Sequence, residues 1–293
     1  MGNLKGLVLS GKKGFYTVLS EETEYICRSA AKIAKFEGKL LAGDLVEFSD
    51  NGDGTGFINR LLPRKNSLVR PPVANADVLA VVLSPTEPEP FIYNVDLLTV
   101  LAVKAGIEPV IILTKCDIAP YAHIAEIYRK TPFRVIPTSS ATGMGVDEAR
   151  EALSGKICIL CGASGVGKST LLNAMYPHIG AETGELSKRI QRGKNTTRTT
   201  ELFLLGNGTF VADTPGFSAI ETEQYFSIEP KELFELFPDF AEFSQDCRYT
   251  DCTHTKEEEC GIRYAAGDGR LAVSRHESYI RLYTELKNID KYK

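Results

Sequence analysis

The sequence has few features of a membrane, secreted or strongly basic protein. No apolar run approaches the roughly 18 residues that are needed to span a bilayer, which predicts no contact with a membrane. The first residues, Met1 to Gly6, lack a charged segment followed by an apolar one. No secretory pattern is therefore indicated, and we expect a cytoplasmic location. The formal net charge of −4 excludes a generic polyanion binder and confines any nucleic-acid surface to a local basic patch.

Length and composition are those of a globular protein with more than one domain. The 293 residues are about twice the length of a typical domain. A content of 43% hydrophobic and 25% charged residues is an ordinary balance for soluble globular chains. The seven cysteines form an odd count, and three of them lie between Cys247 and Cys260. In a reducing compartment such a cluster favours a metal site over disulfides.

Residues 1–66 are predicted to form a small β-barrel. Short apolar runs alternate with turn residues, and Asn51-Gly52-Asp53-Gly54 is a strong hairpin signal. The predicted strands are Leu7–Leu9, Phe15–Leu19, Tyr25–Arg28, Asp44–Phe48 and Gly56–Leu61. Five short strands in about 60 residues suit the oligonucleotide-binding barrel, or OB-fold, which would make this an RNA-binding domain. Another small barrel without a ligand is the alternative.

Residues 67–221 are predicted to form an α/β domain with a mostly parallel sheet. Val78–Leu83 is a continuous apolar run, typical of a strand buried on both faces. Strands and helices then alternate, which implies crossover helices. The further strands are Val110–Leu113, Arg134–Pro137, Ile157–Cys161, Phe203–Leu205 and Thr209–Ala212, and the helices are Tyr93–Lys104, His123–Lys130 and Asp147–Leu153. The first of these helices is predicted to carry one apolar stripe, formed by Leu97, Leu98, Leu101 and Ala105.

A complete phosphate-binding loop of the pattern G-x-x-x-x-G-K-[ST] lies between a predicted strand and a predicted helix. Its residues are Gly162, Ala163, Ser164, Gly165, Val166, Gly167, Lys168 and Ser169, with Thr170 following. The glycines allow backbone N–H groups to face a phosphate at a helix N-terminus. Lys168 is expected to bridge the β- and γ-phosphates, and the Ser169 hydroxyl is expected to bind Mg²⁺. A chance glycine-rich turn is the weaker alternative, because the strand and the helix are both in place.

Two further elements of a nucleotide hydrolase follow the loop. Asp213-Thr214-Pro215-Gly216 comes after a predicted strand, so Asp213 is expected to support Mg²⁺ and the Gly216 N–H to sense the γ-phosphate. The polar segment 179–200 is predicted to be a mobile loop. Within it Thr196 and Thr197 are both candidates for a switch threonine that closes on Mg²⁺ when the triphosphate is bound. The basic residues of 188–198 are a solvated face unless a partner binds them.

A guanine-recognition motif precedes the phosphate loop. Thr114-Lys115-Cys116-Asp117 fits the pattern [N/T]-K-x-D at the end of a strand. The Asp117 carboxylate can accept hydrogen bonds from guanine N1–H and from the 2-amino group, whereas adenine would leave the carboxylate desolvated and unpaired. The Lys115 stem can pack over the base. Ser140 and Ala141 follow the next strand, where a second loop that contacts the base is expected.

The order of these motifs predicts a circular permutation. In an ordinary GTPase the phosphate loop comes first and the base motif last, whereas here the base motif comes first. The same sheet can be cut at one loop and joined at another when the original termini lie close together. The new join is expected within residues 141–157.

Residues 222–293 are predicted to form a mainly helical zinc-binding domain. The spacing C-x₄-C-x-H-x₅-C of Cys247, Cys252, His254 and Cys260 suits a tetrahedral structural Zn²⁺ site. Free thiols beside a surface histidine are the alternative. The remaining cysteines, Cys27, Cys116, Cys158 and Cys161, are interpreted as small packing residues. No partner is evident for the histidines His123, His178 and His276.

Together these motifs resemble the bacterial GTPases that depend on the small ribosomal subunit, the RsgA or YjeQ family, over essentially the whole chain. The resemblance implies an OB-fold barrel, a permuted GTPase domain and a zinc domain, with GTP or GDP, Mg²⁺ and Zn²⁺ as cofactors. It also implies the small ribosomal (30S) subunit and its rRNA as partners, and GTP hydrolysis during late maturation of that subunit, stimulated by the subunit. Arg70-Pro71, Asn75 and Asp77 resemble the family's entry into the GTPase domain. We expect a monomer.

The chain departs from the family pattern at the residues that would orient water. Asn195 stands where the family usually has a histidine, and Phe217 stands where GTPases usually have a glutamine. Slow intrinsic hydrolysis is therefore expected. Two other hypotheses are an RNA-binding assembly factor whose guanine nucleotide is mainly structural, and an ATP-dependent metabolic kinase. Asp117 argues against the kinase, which has no use for a guanine reader.

Overall fold

The computed structural model describes residues 3–30, 33, 39–177, 200–213 and 228–289, with Asp213 and Ile289 defined by their backbone. The chain forms two compact units. The first comprises Met1–Val78, Arg150–Leu160 and Tyr176–Phe217, and the second comprises Leu79–Ala149, Cys161–Met175 and Ser218–Lys293. The domain boundaries expected after residues 66 and 221 stay predictions.

The N-terminal strands form a closed barrel. They are β1 (Asn3–Lys12), β2 (Phe15–Ser20), β3 (Thr23–Ser29), β4 (Leu45–Asp50) and β5 (Thr55–Leu61), in the order β1-β2-β3-β5-β4, with β4 returning to pair with β1. The β3–β5 pair is parallel, and the other pairs are antiparallel. The predicted OB-fold barrel is confirmed.

Alternating side chains fill the barrel. Its buried core consists of Val8, Val18, Cys27, Ile33, Leu40, Val46, Phe48 and Ile58. Gly56 is required because a Cβ there would lie 2.9 Å from both Cys27 Sγ and a ring carbon of Phe48. Burial raises the pKa of Cys27 to about 11, so this thiol stays protonated and serves as a packing residue. Burial of each such aliphatic side chain stabilises the folded barrel by roughly 1.5–3 kcal/mol relative to leaving it exposed.

The segment after the barrel is held by specific polar contacts. It contains a two-stranded ribbon, β6 (Ser67–Leu68) with β7 (Val73–Ala74), which the sequence did not indicate. Asn75 has a positive φ of 56°, and its amide donates to Gly43 O at 2.8 Å while its oxygen accepts from Lys65 N at 2.9 Å. Asp77 accepts from the Ile157 N–H at 2.8 Å and pairs with the Lys65 ammonium. These contacts fix the entry into the next sheet.

The second sheet has six strands with the order β10-β9-β8-β11-β13-β12. They are β8 (Val78–Leu83), β9 (Glu108–Leu113), β10 (Arg134–Pro137), β11 (Ile157–Cys161), β12 (Glu201–Gly206) and β13 (Thr209–Asp213). β9–β10 and β11–β13 are parallel pairs, and the edge strand β12 runs antiparallel to β13. The strand that carries the phosphate loop, β11, is central, although three strands of the sheet precede it in sequence. The mostly parallel sheet and the permuted order are confirmed.

The helices described among these strands are α1 (Ile92–Lys104), α2 (Ala122–Arg129), α3 (Val146–Leu153) and α4 (Lys168–Met175). Leu97 and Leu98 of the predicted stripe are buried, and Ala105 is partly buried, but the burial of α1 extends beyond this stripe. Asp96 and Thr99 are buried along with its apolar residues, and Leu101 is only partly buried. The reason is tertiary, since Tyr93, Leu97 and Val100 share a core with the C-terminal residues.

The C-terminal region is mainly helical, as predicted. From residue 228 to residue 289 the described part contains the 3-10 helices Pro230–Leu236 and Pro238–Phe240 and the α-helices α5 (Ala241–Ser244), α6 (Gly261–Gly267) and α7 (Val273–Ile289). Capping is reciprocal at the first 3-10 helix, where Glu229 and Glu232 form a capping box. Within the described residues, no helix has both the length and the apolar character required for a membrane span.

A buried ion cluster joins this region to α1. Arg275 on α7 is fully buried, and its guanidinium forms a fork with Asp239, at 2.6 and 3.1 Å. It also donates to Asp96 Oδ1 at 2.8 Å, which accepts a second bond from the Tyr128 hydroxyl at 3.0 Å. Asp96 Oδ2 is buried with no hydrogen-bond partner among the described residues. One guanidinium thus faces two carboxyl groups, which favours one of them in the neutral form.

We predict that Asp96→Asn is tolerated and that Asp239→Asn is not. Burial, opposed by Arg275, raises the pKa of Asp96 above its ordinary value of 3.8, so an amide imitates its protonated form. Asp239→Asn instead leaves the Arg275 fork without its counter-charge and should lower the free energy of unfolding by about 3 kcal/mol. Denaturant unfolding of the zinc-loaded protein at pH 7 measures both effects. An equal loss in the two variants would contradict the assignment.

The same cluster predicts a pH dependence. A carboxyl group whose pKa is raised by folding stabilises the fold at low pH, and that contribution is lost as the pH rises above 3.8 through the raised pKa. Asp96→Asn should therefore flatten the dependence of stability on pH relative to wild type. Unfolding midpoints measured from pH 5 to pH 9 test this, with Asp268→Asn, an exposed carboxyl, as the matched control.

Candidate functional site

The phosphate loop connects β11 to α4, as the sequence predicts. Gly162 has φ 146°, and a Cβ there would collide with Val82 O. Gly165 and Gly167 have φ values of 84° and 103°, which residues other than glycine rarely adopt. Ala163 and Ser169 are half-buried, Ser164 and Thr170 are exposed, and Val166 is buried. The loop therefore anchors itself by Val166 and leaves its remaining groups accessible.

Lys168 places its ammonium group inside the curve of this loop. It donates to Gly162 O at 2.7 Å and to Ala163 O at 2.9 Å. Burial lowers its pKa from the ordinary value of 10.5. The ammonium group thus lies against carbonyl oxygens at the start of the loop, where an anion would be a stronger partner.

Thr114 joins the predicted base motif to the phosphate loop. Its hydroxyl lies 2.9 Å from Leu83 O, at the end of β8, and also bonds Val166 O. A Cβ on Gly167 would lie only 3.5 Å from Thr114 Oγ1, so the two loops are in van der Waals contact. Thr114 is 3% exposed. Residues that are far apart in the chain therefore form one site.

The two predicted base loops lie side by side. Lys115 has a left-handed φ of 56°, and its ammonium points to Thr86 Oγ1 at 3.4 Å. The Cys116 N–H donates to Thr138 O at 3.1 Å, which links the first loop to the second. Asp117 is exposed, so its carboxylate is available to a ligand. In the second loop Ser140 is half-buried and Ala141 is exposed.

The predicted switch elements are described only in part. The backbone of Asp213 ends β13, opposite Glu201 of β12, which is the strand end that the sequence indicated. Thr196, Thr197, Gly216, Asn195 and Phe217 lie outside the described residues. Their assigned roles stay predictions.

The four predicted zinc ligands converge. The ligand atoms of Cys247, Cys252, His254 and Cys260 all lie within 4.8 Å of one another. His254 Nδ1 is 3.5 Å from both Cys247 Sγ and Cys260 Sγ, and the latter two are 3.9 Å apart. A tetrahedron with metal–sulfur bonds of about 2.3 Å has sulfur–sulfur edges of about 3.8 Å and sulfur–nitrogen edges near 3.6 Å. The donor set therefore fits Zn²⁺ in both chemistry and spacing.

Neighbouring polar groups hold the ligands in place. Glu257 accepts from the Thr253 hydroxyl at 2.6 Å and from the N–H groups of Thr253, Thr255 and Lys256 at 3.1 Å. These hydrogen bonds, against the cost of burial, lower its pKa to about 2. Burial and neighbouring thiols raise the pKa of Cys252 to about 12. A bound cation is what makes such thiolates stable.

Sequence reasoning missed several residues of this region. His276 was given no partner, yet it is buried with Nε2 2.7 Å from His254 O. Glu257 and the ion cluster around Arg275 were also not identified. Only the polar spacing Thr253-x-Thr255-x-Glu257 could have indicated a capped loop. His123 is exposed, and His178 lies outside the described residues.

Comparison with protein families covers most of the chain. The family model described as RsgA GTPase matches residues 61–223. The model described as RsgA N-terminal domain matches residues 5–58. These two matches coincide with the barrel and with the sheet that carries the phosphate and base motifs.

Individual relatives and solved structures agree with the family match. A protein of Alkaliphilus metalliredigens named small ribosomal subunit biogenesis GTPase RsgA is 39% identical over 98% of this chain and 99% of its own. A protein of the same name from Thermotoga neapolitana is 38% identical over 96% of each chain. The crystal structure of YjeQ from Thermotoga maritima aligns with a TM-score of 0.83 at 35% identity, over 97% of this chain and 99% of that one. The structure of YloQ, described as a circularly permuted GTPase, aligns with a TM-score of 0.77 at 30% identity, over 98% of this chain and 96% of that one. With its motifs, its permuted sheet and these likenesses, the chain belongs to the RsgA family of GTPases.

Proposed function

We propose that this protein binds GTP across the phosphate loop and the base motif and hydrolyses it during late maturation of the small ribosomal subunit. The observation that carries the nucleotide site is the contact of Thr114 with Val166 O. It holds the two loops at a fixed separation, so that one nucleotide can reach both. The relatives are named for biogenesis of the small ribosomal subunit, which supports the partner.

The residues divide the recognition of GTP between them. Asp117 accepts from the guanine edge, the Lys115 stem covers the base, and Ser140 and Ala141 border it. Backbone N–H groups of Gly162 to Thr170 surround the phosphates, and Lys168 leaves its carbonyl partners for phosphate oxygens. Because the exposed Asp117 carboxylate needs two donors at once, guanine is selected over adenine.

Hydrolysis requires a divalent cation and a positioned water. Ser169 and the carboxylate of Asp213 would hold Mg²⁺, which supplies charge neutralisation at the phosphates when bound. Thr196 or Thr197 and the Gly216 N–H would respond to the γ-phosphate. Neither Asn195 nor Phe217 can act as a base. Intrinsic hydrolysis is therefore slow, and a bound partner completes the site.

The subunit is bound through rRNA, and the barrel supplies a basic pocket for its phosphates. A surface pocket of 280 Å³ beside the β1–β2 hairpin is lined by Lys12, Lys13 and Lys39, with Tyr16 and Thr200 also at its wall. None of the described residues that line it is acidic. Three lysines around one pocket suit a phosphate backbone despite the acidic average of the chain. The protein acts as a cytoplasmic monomer without a membrane contact, in three domains bounded at residues 66 and 221.

The nucleotide site predicts a specificity switch at Asp117. In Asp117→Asn the amide can donate to the 2-oxo group of xanthine, but it can no longer accept from both donors of guanine. In this variant the preference for GTP over ATP should fall by about 10²-fold or more, and the affinity for xanthosine triphosphate should rise by about 10²-fold or more. Competition binding with GTP, ATP and xanthosine triphosphate measures this. The exposed Glu126→Gln is the control, and unchanged GTP preference in Asp117→Asn would refute the guanine assignment.

The cysteine cluster predicts about one zinc per chain. Cys252→Ala should lose the metal and loosen the C-terminal helices, because zinc binding contributes directly to folding. GTP binding should remain, since the described contacts of the cluster are all with C-terminal residues. Elemental analysis and limited proteolysis test this, with the buried Cys27→Ala as the control that keeps zinc. A metal-free wild-type protein with a protected C-terminal region would contradict the site.

The proposed partner predicts stimulated hydrolysis that depends on the barrel. Small subunits should raise single-turnover hydrolysis by about 10³–10⁵-fold, and deletion of residues 1–65 should abolish the stimulation but spare GTP affinity. Replacing Lys12, Lys13 and Lys39 together by alanine should weaken subunit binding and reduce the salt slope by about 0.7–0.9 per lost phosphate contact. Lys231→Ala is the control. Rapid hydrolysis without subunits would favour a different mechanism, and no stimulation at all would favour a structural nucleotide.

A further inference from the structure

A row of exposed side chains crosses four strands on the outer face of the barrel. The strand register pairs Lys12 of β1 with Phe15 of β2, Phe15 with Arg28 of β3, and Arg28 with Phe57 of β5. Paired residues on neighbouring strands point to the same face of a sheet and lie about 5 Å apart. These four side chains therefore form one continuous strip, called the aromatic row below.

The two phenylalanines of this row are unusually accessible. Phe15 is 45% exposed and Phe57 is 42% exposed. Ile26, one alternate position along β3 from Arg28, is 49% exposed and widens the apolar area. The Arg28 guanidinium lies 4.8 Å over the Phe15 ring, so a cation already occupies one aromatic face. Clustered exposed aromatic residues on a strand surface mark a binding surface rather than a core.

Charge distinguishes the possible partners. The row contains two cations and no acid. Lys12 also belongs to the surface pocket lined by Lys12, Lys13 and Lys39, called the lysine pocket below. The acidic residues Glu21, Glu22 and Glu24 lie at the other end of β2 and β3. A second copy of the chain docking its own row here would bury Lys12 and Arg28 of both copies, and neither row offers a carboxylate to pair with them. A polyanion with flat apolar groups matches the row instead.

We propose that the aromatic row binds unpaired RNA bases by stacking and that the adjoining lysine pocket takes a neighbouring phosphate. This inference rests on the proposed function and specifies the form of its RNA partner. Aromatic rings and guanidinium groups stack on the faces of bases that have left a helix, whereas in a duplex those faces are covered. The row thus selects single-stranded segments, while the lysines contact any backbone.

The test compares two RNAs and matched variants of the full chain. A labelled single-stranded 12-nucleotide RNA and the same sequence in a duplex are titrated by fluorescence anisotropy. Phe15→Ala and Phe57→Ala should each weaken single-strand binding by about 5- to 150-fold and leave duplex binding within about twofold. Phe15→Tyr should restore binding, because the ring is kept. Leu45→Ala removes an equally exposed apolar side chain, 44% accessible on β4. It should change the affinity for neither the single strand nor the duplex.

If bases stack on the aromatic row, the phenylalanine variants should lose affinity for single-stranded RNA only. Equal losses for single strand and duplex, or no loss for either phenylalanine, would overturn the stacking role. Wild-type self-association in sedimentation that disappears in Phe57→Ala would identify a contact between copies and overturn it as well. Melting curves of the zinc-loaded variants confirm folding, which exposed positions should preserve. If subunits fail to stimulate wild-type hydrolysis, the proposed function is wrong. The RNA titrations still test, independently of that result, whether the aromatic row stacks on unpaired bases.

Discussion

The contact of the Thr114 hydroxyl with Val166 O joins two loops that are 52 residues apart in the chain. The proposed nucleotide site depends on it. The same hydroxyl reaches Leu83 O at the end of β8, and Gly167 lies next to the Thr114 side chain. β9, β8 and β11 are successive strands of the sheet, and the loops at their carboxyl ends meet at one edge, where α/β sheets bind ligands. Chain order is irrelevant to this meeting, which is why a permuted chain can keep the site.

The C-terminal region depends on partners outside its own sequence. Its helices are short apart from α7, and its core includes Tyr93, Leu97 and Val100 from α1. Small helical regions of this kind rarely gain enough free energy from apolar burial alone. A four-ligand metal site and the buried Arg275 cluster supply the additional constraints. The two carboxyl groups on one guanidinium also make the cluster sensitive to protonation, because a buried net charge is costly.

Much of the architecture could be predicted because the signals are local. The barrel strands, the buried strand β8, the phosphate loop and the zinc ligands were all located from short patterns, and their bounds shifted by only a few residues. The burial of α1 beyond its apolar stripe could not be predicted, because Asp96 and Thr99 are polar residues whose burial depends on contacts with the C-terminal residue Arg275. The ribbon β6–β7 was missed because two-residue strands have no periodicity to detect.

The sequence by itself determined which chemical groups are present and in which local frame. A strand, a glycine loop and a lysine form the cradle proposed for phosphate, and Asp117 carries the acceptors proposed for guanine, whatever the rest of the chain does. The tertiary structure alone decided which of these groups meet. The bridge from Thr114 to the phosphate loop, the ion cluster of Asp96, Asp239 and Arg275, and the aromatic row of Phe15, Arg28 and Phe57 each join residues from separate elements. Such contacts arise from strand register and helix packing, which no spacing within one segment encodes.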